Sequence, residues 1–441
     1  VKPDWSPEIM INGMITGHLT AYKTDLVKQI GGFRSEFDFS QDYDLALRMS
    51  RICKNIIHIE RILYLWRSIT SSAASGGKPY ARATNLSALQ NHLDELNLNA
   101  KFLELPYANS FTMELDETQL VSIVIPSDSY ENLSKAINGI LEKTDYKNYE
   151  IIAVCNTPLA EKLKKLYENY KNVKFSGYDK KYNFSDKCNQ GADEALGKYV
   201  IFYNDDVIPA KSDWINHLVE YLLFPDVGGV SPKLLFENDT IQYAGMISGT
   251  PGLAGTAYNH YSKDQPDDFL TMHKYVRNVS ILSGACCALP RDLFVKIGGF
   301  DAINTPDGHS DVDLSYKIQE AGYRCVYTPY SELYHIGNHS WGVKKADIFC
   351  LKKWGKYVST DPYFTDTMKE VLYKDFTFKY KIYASQVDIN ATYSGKDVLF
   401  ISHELSATGA PHMLYHAAIA IKHAGGFPVV VAPEDGVLRH N

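Results

Sequence analysis

Residues 197–209 read GKYVIFYNDDVIP. Tyr199, Val200, Ile201, Phe202 and Tyr203 form an apolar and aromatic run, as in a buried strand, and the run ends on Asn204, Asp205 and Asp206. Asn and Asp are common turn formers and Pro209 supports a loop, so the two acids have a plain structural reading. They also have a chemical one. Paired carboxylates at the carboxyl end of a strand can hold a hard divalent cation, which prefers oxygen ligands. The surrounding chain has to decide between the two.

Around this stretch, short apolar runs alternate with segments of helical period. LVSIVIP (120–126), YEIIAVCN (149–156), NVKFSGY (172–178) and KYVIFYNDD (198–206) read as strands. NLSKAINGILEKT (132–144), LAEKLKKLYENY (159–170) and FSDKCNQGADEALG (184–197) read as the helices between them. Such alternation predicts an α/β fold, a mainly parallel sheet with helices on both faces. Ligands of these sheets bind at the carboxyl ends of the strands, where Asp205 and Asp206 stand.

The totals set the bounds. A chain of 441 residues exceeds one ordinary core, so two or three domains are expected. Hydrophobic content of 45% with 22% charged residues describes a globular protein, and a net charge of −7 argues against nucleic acid as a partner. The seven cysteines are odd in number and form no C-x-x-C pair, so reduced thiols are expected rather than a disulfide frame or a zinc site. No stretch approaches 18 apolar residues and no signal-peptide pattern opens the chain, so neither a membrane span nor export is expected. The chain opens on VKPDWSPEIM without Met and ends on GVLRHN, which reads as a piece of a longer protein.

An internal repeat is visible. GHLTAYKTDLVKQIGGF (17–33) aligns without a gap on GACCALPRDLFVKIGGF (284–300), and SQDYDLALRM (40–49) then answers HSDVDLSYKI (309–318) after a two-residue insertion. The first copy contains only the second half of the unit. Between the copies lie a Ser/Gly-rich loop, SITSSAASGGKP (68–79), and a segment of helical spacing, 80–98. From 396 a strand, a helix (411–425) and a second strand (427–433) open another α/β unit.

Common motifs fail. GADEALGKY has five residues between its glycines and Tyr after its Lys, so it is no phosphate loop, and no G-x-G-x-x-G is present. What remains is a set of acids and one His. Asp311 and Asp313 open a helix; their i, i+2 spacing points them apart, so one is expected to face a site and the other to cap or brace the helix. His335 follows the run 324–334. A lone His is more often structural than a ligand.

In order and spacing these pieces resemble a known family. Residues 121–345 resemble a family 2 glycosyltransferase of the GT-A fold, through VSIVIP, NFSDKCNQGADEALGKYVIFYNDD, SGAC, IGGFD, SDVDLSYKIQEAGY and YTPYSELYH. Residues 1–70 resemble the second half of another such domain, with 71–120 as a linker containing a helix. Residues 346–395 are expected to be a helical or irregular connection, and 396–441 resemble the start of a family 4 glycosyltransferase of the GT-B fold.

The resemblance implies a metal-dependent, inverting transfer. The donor would be a UDP-, dTDP- or GDP-sugar, the acceptor a hydroxyl of a growing cell-surface glycan or lipid-linked glycan. It implies that Asp206, with Asp205, holds Mn²⁺ or Mg²⁺, that His335 completes that site, and that Asp311 is the catalytic base. Pro126, Ser127, Asp128, Asn156 and Asn189, with Asp205, would hold the nucleotide, and Gly284 would lie against the donor sugar. Asp313 and Trp341 would be acceptor-side or structural. A cytoplasmic protein is implied, with peripheral association at the inner face of the cell membrane. Two positions depart from the pattern: Cys155 stands at an Asp position, and in the first copy, which keeps Asp42, Leu65 stands where a His is expected. These departures favour an alternative, a degenerate, non-catalytic glycan-binding or scaffold protein of a polysaccharide-assembly complex.

Overall fold

In the computed structural model the apolar run 199–203 is a strand buried along its whole length. The structure describes residues 2–17, 19–59, 63, 80–104, 109–113, 115–116, 119–249, 253–264, 272–337, 344–358, 361–365, 368, 397–424, 426–432, 436 and 438. The chain divides into two units, Glu117–Pro266 with Val279–Asn441, and Val1–Asp116 with Asp267–Asn278.

The larger unit is the expected α/β alternation. Its elements are β1 (Val121–Pro126), α1 (Tyr130–Glu142), β2 (Tyr149–Cys155), α2 (Thr157–Leu166), β3 (Val173–Gly177), α3 (Phe184–Glu194), β4 (Tyr199–Tyr203) and β5 (Val207–Pro209). There follow α4 (Trp214–Val219), β6 (Val227–Leu235), β7 (Ile241–Tyr243), β8 (Cys286–Pro290), α5 (Arg291–Lys296), α6 (Ser310–Glu320), β9 (Arg324–His335) and α7 (Lys344–Val358). The loops after β1, β2 and β3 each supply a helix cap. The Ser129, Asn156 and Asn183 side chains accept from the N–H of Asn132, Leu159 and Asp186, and a cap of this kind stabilises a helix by about 1 kcal/mol.

The sheet runs β9-β6-β8-β4-β1-β2-β3, with β5 added to β9 and β7 to β6. β1 is parallel to both β2 and β4, and β2 to β3. β8 enters antiparallel between β4 and β6, and β6 and β9 are again parallel. All six residues of β1 are buried, as a strand covered on both faces must be. The order 3-2-1-4 reverses direction between β1 and β4. Their adjacent carboxyl ends therefore frame the crevice in which doubly wound sheets bind ligands.

The plain structural reading of the two acids holds. Asn204, Asp205 and Asp206 form a tight turn into β5, closed by the Val207 N–H on the Asn204 carbonyl at 3.3 Å. The turn also sits at the crevice. β5 pairs antiparallel with the end of β9, Val207 opposite His335, and the Ile336 N–H donates to the Asp206 carbonyl at 2.9 Å. Backbone pairing thus brings His335 beside the acidic turn, 129 positions earlier in the chain being no obstacle once the sheet closes.

The smaller unit contains helices Pro7–Asn12, Thr24–Gln29, Gln41–Ile52 and Tyr80–Glu95 and a hairpin of Ala100–Glu104 with Asn109–Met113. The helix read as part of a linker packs within this unit. Ser40 Oγ donates to the Ala81 carbonyl at 3.1 Å and Arg34 to Asn91 Oδ1 at 2.8 Å. Farther along, Asp397–Ile401 and Phe427–Val431 pair in parallel around helix Gly409–His423, the expected βαβ element. Leu65, Trp341 and most of 346–395 beyond α7 lie outside the described residues.

Candidate active site

The crevice is built where β1 and β4 end. Ser127, the first residue past β1, donates its Oγ to the Asp205 carboxylate at 2.5 Å and accepts the Ser129 N–H at 3.0 Å. One buried hydroxyl therefore joins the two strand ends and sets the direction of Asp205.

Asp206 turns toward β9. Its Oδ1 lies 3.1 Å from His335 Nε2, with the two side chains only 8% and 14% exposed. The far side of the imidazole is held by Gln242 of β7. Gln242 Nε2 donates to the His335 main-chain carbonyl at 3.3 Å, and Gln242 Oε1 lies 2.5 Å from His335 Nδ1. A carbonyl can only accept, which assigns the amide orientation. Oε1 can then only accept, which assigns the ring proton to Nδ1. In the neutral ring, Nε2 presents its lone pair toward Asp206.

A carboxylate oxygen and an imidazole lone pair converging at this distance suit a divalent cation. Among the described residues no group of three or more His, Cys, Asp or Glu side chains forms a metal cage. A cation at a nucleotide does not need one, because Mg²⁺ is held by one or two carboxylates while water and phosphate oxygens fill its remaining positions. Asp206, His335 and, through its own carboxylate, Asp205 fit that role.

Asp311 stands at the first turn of α6. Its Oδ2 accepts the Gly284 N–H at 3.1 Å and its Oδ1 accepts the Val312 N–H at 2.9 Å. Burial pushes its carboxyl above the usual range, and His309 and these backbone donors oppose that shift without cancelling it. Gly284 is a close-approach position. A Cβ there would lie 3.2–3.4 Å from the Asp311 side chain. Asp313, one step round the helix, faces elsewhere. It is fully buried, with Oδ1 accepting from Lys353 Nζ at 2.9 Å and Trp354 Nε1 at 2.8 Å, and Oδ2 lying 2.8 Å from Lys317 Nζ.

Residues 122–298 match the family model described as Glycosyl transferase family 2. That segment is similar to family 2 glycosyltransferases. It is 32% identical over 77% of its length to the uncharacterised protein y4gI of Sinorhizobium fredii, of which it covers 39%. It is 30% identical over 82% of its length to the O-antigen biosynthesis protein RfbC of Myxococcus xanthus, of which it covers 29%. The chain thus spans well under half the length of either relative. Among solved structures it is similar to GalNAc-T7 with UDP, GalNAc and Mn²⁺, at 16% identity over 62% of this chain and 52% of that one, with a TM-score of 0.47.

Of the remaining residues expected at the nucleotide, Pro126, Asp128 and Asn156 lie at the ends of β1 and β2. Pro126 ends β1 and is buried. Asp128, beyond it, accepts the Asn156 N–H at 2.9 Å and the Asn156 side-chain amide at 3.2 Å. Asn156 is at the same time the cap of α2, so this loop is tied at both ends. Asn189, on α3, is held by the main chain of Phe300. Its amide pairs with both main-chain groups of Phe300, accepting from the N–H and donating to the carbonyl, each at 2.9 Å. That pairing fixes the Gly-Gly turn after α5 against α3. Cys155, at the position where the pattern has an Asp, is a buried thiol, and burial pushes its pKa up to about 11.

Two residues at the site escaped the sequence reading. Lys187 of α3 is fully buried, with its Nζ 2.7 Å from Asp128 Oδ1 and 2.9 Å from the Ser127 carbonyl. It braces the loop after β1. A buried Lys inside FSDKCNQG has no local mark, since helical period alone would allow it on a solvated face. Gln242 is equally silent in TIQYAGM. Its partner is 93 residues away and is reached only through the pairing of β7, β6 and β9.

Proposed function

We propose that the family 2 domain, residues 121–345, transfers a sugar from a nucleotide-sugar to a hydroxyl of a growing cell-surface glycan, with a divalent cation and with inversion at the anomeric carbon. The observation that carries this reading is the convergence of Asp206 and His335 at 3.1 Å beside the β1–β4 crevice of a family 2 domain. The name of the Myxococcus xanthus relative, an O-antigen biosynthesis protein, supports the choice of a surface glycan as product.

In this reading the roles divide by chemistry. An acceptor hydroxyl is a poor nucleophile, and a positioned base that takes its proton as it attacks contributes about 10²–10⁴-fold. Asp311 is the base, and a carboxyl raised above its usual range is better matched to that task than an ordinary one. The Gly284 N–H holds the carboxylate in place and, lacking a side chain, leaves room beside it for the donor sugar. Asp205, Asp206 and His335 hold the cation, which when bound offsets the negative charge growing on the leaving diphosphate. Ser127, Asp128 and Asn156 line the nucleotide side, with Lys187 bracing them. Asp313 is a structural residue, and the βαβ element at 397–431 is the beginning of a family 4 unit.

Calorimetric titration with UDP, dTDP and GDP, each with and without Mn²⁺, tests the proposal. One nucleotide should bind with micromolar affinity in the presence of Mn²⁺ and much more weakly without it. If none binds under either condition, the catalytic reading fails and the scaffold alternative takes its place.

A further inference from the structure

We infer that Gln242 is a positioning residue for the cation site: it fixes His335 in the Nδ1–H tautomer so that Nε2 faces Asp206. The inference rests on the proposed metal reading for its consequence, but not for its geometry. Three atoms carry it. The Gln242 amide nitrogen is anchored on the His335 carbonyl, its oxygen takes the Nδ1 proton, and His335 Nε2 is left 3.1 Å from Asp206 Oδ1. The amide thus bonds to backbone and ring of one residue at once, which fixes the ring's rotation as well as its proton. The backbone around it is stiff on both sides. The Gln242 carbonyl accepts from Asn259 Nδ2 at 3.1 Å, and His335 is held opposite Val207 in the β5–β9 ladder.

The chemical consequence follows from ligand basicity. A histidine binds a cation only through a nitrogen that carries no proton, and an acceptor on the other nitrogen keeps the proton there. Without Gln242, a neutral His335 can place its proton on Nε2 instead and donate it to Asp206. That hydrogen bond occupies both groups and competes with the cation. Loss of such a partner typically weakens metal affinity 10- to 100-fold.

The test uses the whole chain with two independent readings. Long-range proton–nitrogen spectra of ¹⁵N-histidine-labelled protein, with the His335 signals identified from His335→Ala, report the tautomer without any metal. Calorimetry of Mn²⁺ in the presence of UDP, dTDP or GDP reports the cation site. The native protein should show the Nδ1–H form, Gln242→Ala should lose it and bind Mn²⁺ at least tenfold more weakly, and Gln242→Glu, which keeps the acceptor, should stay within about threefold of native. Metal-free melting temperatures should be similar in all three. An unchanged Nδ1–H signal in Gln242→Ala overturns the inference. A native protein that takes no Mn²⁺ with any nucleotide overturns the metal reading instead, while the tautomer spectra still decide the part played by Gln242.

Discussion

Asp44 and Asp313 make the same bond in two copies of one repeated unit. Asp313 pairs with Lys317, four residues on, and Lys317 Nζ also donates to the Gly299 carbonyl at 2.9 Å. Asp44 pairs with Arg48, again four residues on, and the Arg48 guanidinium donates to the Gly32 carbonyl at 2.6 Å. The glycine pairs that receive these bonds, Gly31–Gly32 and Gly298–Gly299, all have φ between +58° and +82°, a region where a side chain is strained. The second acid of each D-x-D-L run is therefore a clamp that holds its helix to the preceding turn. A second cation completes each clamp, Arg34 for Asp44 and Lys353 for Asp313.

This bond predicts a stability effect. Asp313→Asn should leave the Lys317 and Lys353 ammonium groups without their counter-charge and should lower stability by about 1–3 kcal/mol. Thermal or urea unfolding measures it. Asp44→Asn should behave alike in the smaller unit. A native-like midpoint in Asp313→Asn, with lost transfer, would assign chemistry to the wrong member of the pair.

Asp311→Asn should do the reverse. Transfer should fall by at least about 10²-fold, the lower end for losing a general base, while the affinity for nucleotide and Mn²⁺ stays within a few-fold. The fold should lose nothing. Because burial raises the Asp311 pKa above its unfolded value of 3.8, its favourable contribution is fully present only below that value and is lost as pH rises through the folded pKa. At neutral pH the buried charge costs stability, so the melting temperature of Asp311→Asn relative to native should rise from acid toward neutral pH. For the same reason the acid limb of kcat/KM should lie above the ordinary carboxylate range, since the base must be deprotonated to act.

Removing the cation's carboxylate should separate binding from folding. Asp206→Ala should abolish Mn²⁺-dependent nucleotide binding and transfer, while circular dichroism and the melting transition remain close to native. Calorimetry decides the point: Mn²⁺-dependent affinity that survives this substitution would place the cation elsewhere.

Gly284→Ala probes a close contact at the proposed base. The new Cβ would stand 3.2–3.4 Å from the Asp311 side chain, so the carboxylate has to move by a few tenths of an ångström. Misplacement of this size should cost roughly tenfold or more in kcat, given that about 1 Å can cost 10²-fold. Nucleotide affinity should change little. Single-turnover rates alongside calorimetry would show whether both are affected together, the outcome that contradicts the placement.

Much of the fold was legible because its signals are local. The apolar runs became β1, β2, β3 and β4, and the strand–helix alternation became a parallel core. The 17–33 and 284–300 match is equally local, and both copies fold into a short helix, a Gly-Gly turn and a longer helix opening on two acids. The repeat did not say which acid was which. Asp311 and Asp313 differ by two residues in one turn of helix, and only their neighbours, Gly284 on one side and Lys317, Lys353 and Trp354 on the other, distinguish them.

The sequence by itself determined the α/β class, the carboxyl-end position of Asp205 and Asp206, and the duplicated unit, because periodicity, turn propensity and similarity act over a few residues at a time. Tertiary structure alone decided that His335 faces Asp206, that Gln242 bonds to both the ring and the carbonyl of His335, that Lys187 is buried beneath Asp128, and that Asn189 pairs with Phe300. Each of these depends on residues brought together across the sheet, and no short-range pattern encodes such a pairing. It is set by strand order, and strand order follows from burying all the apolar runs at once.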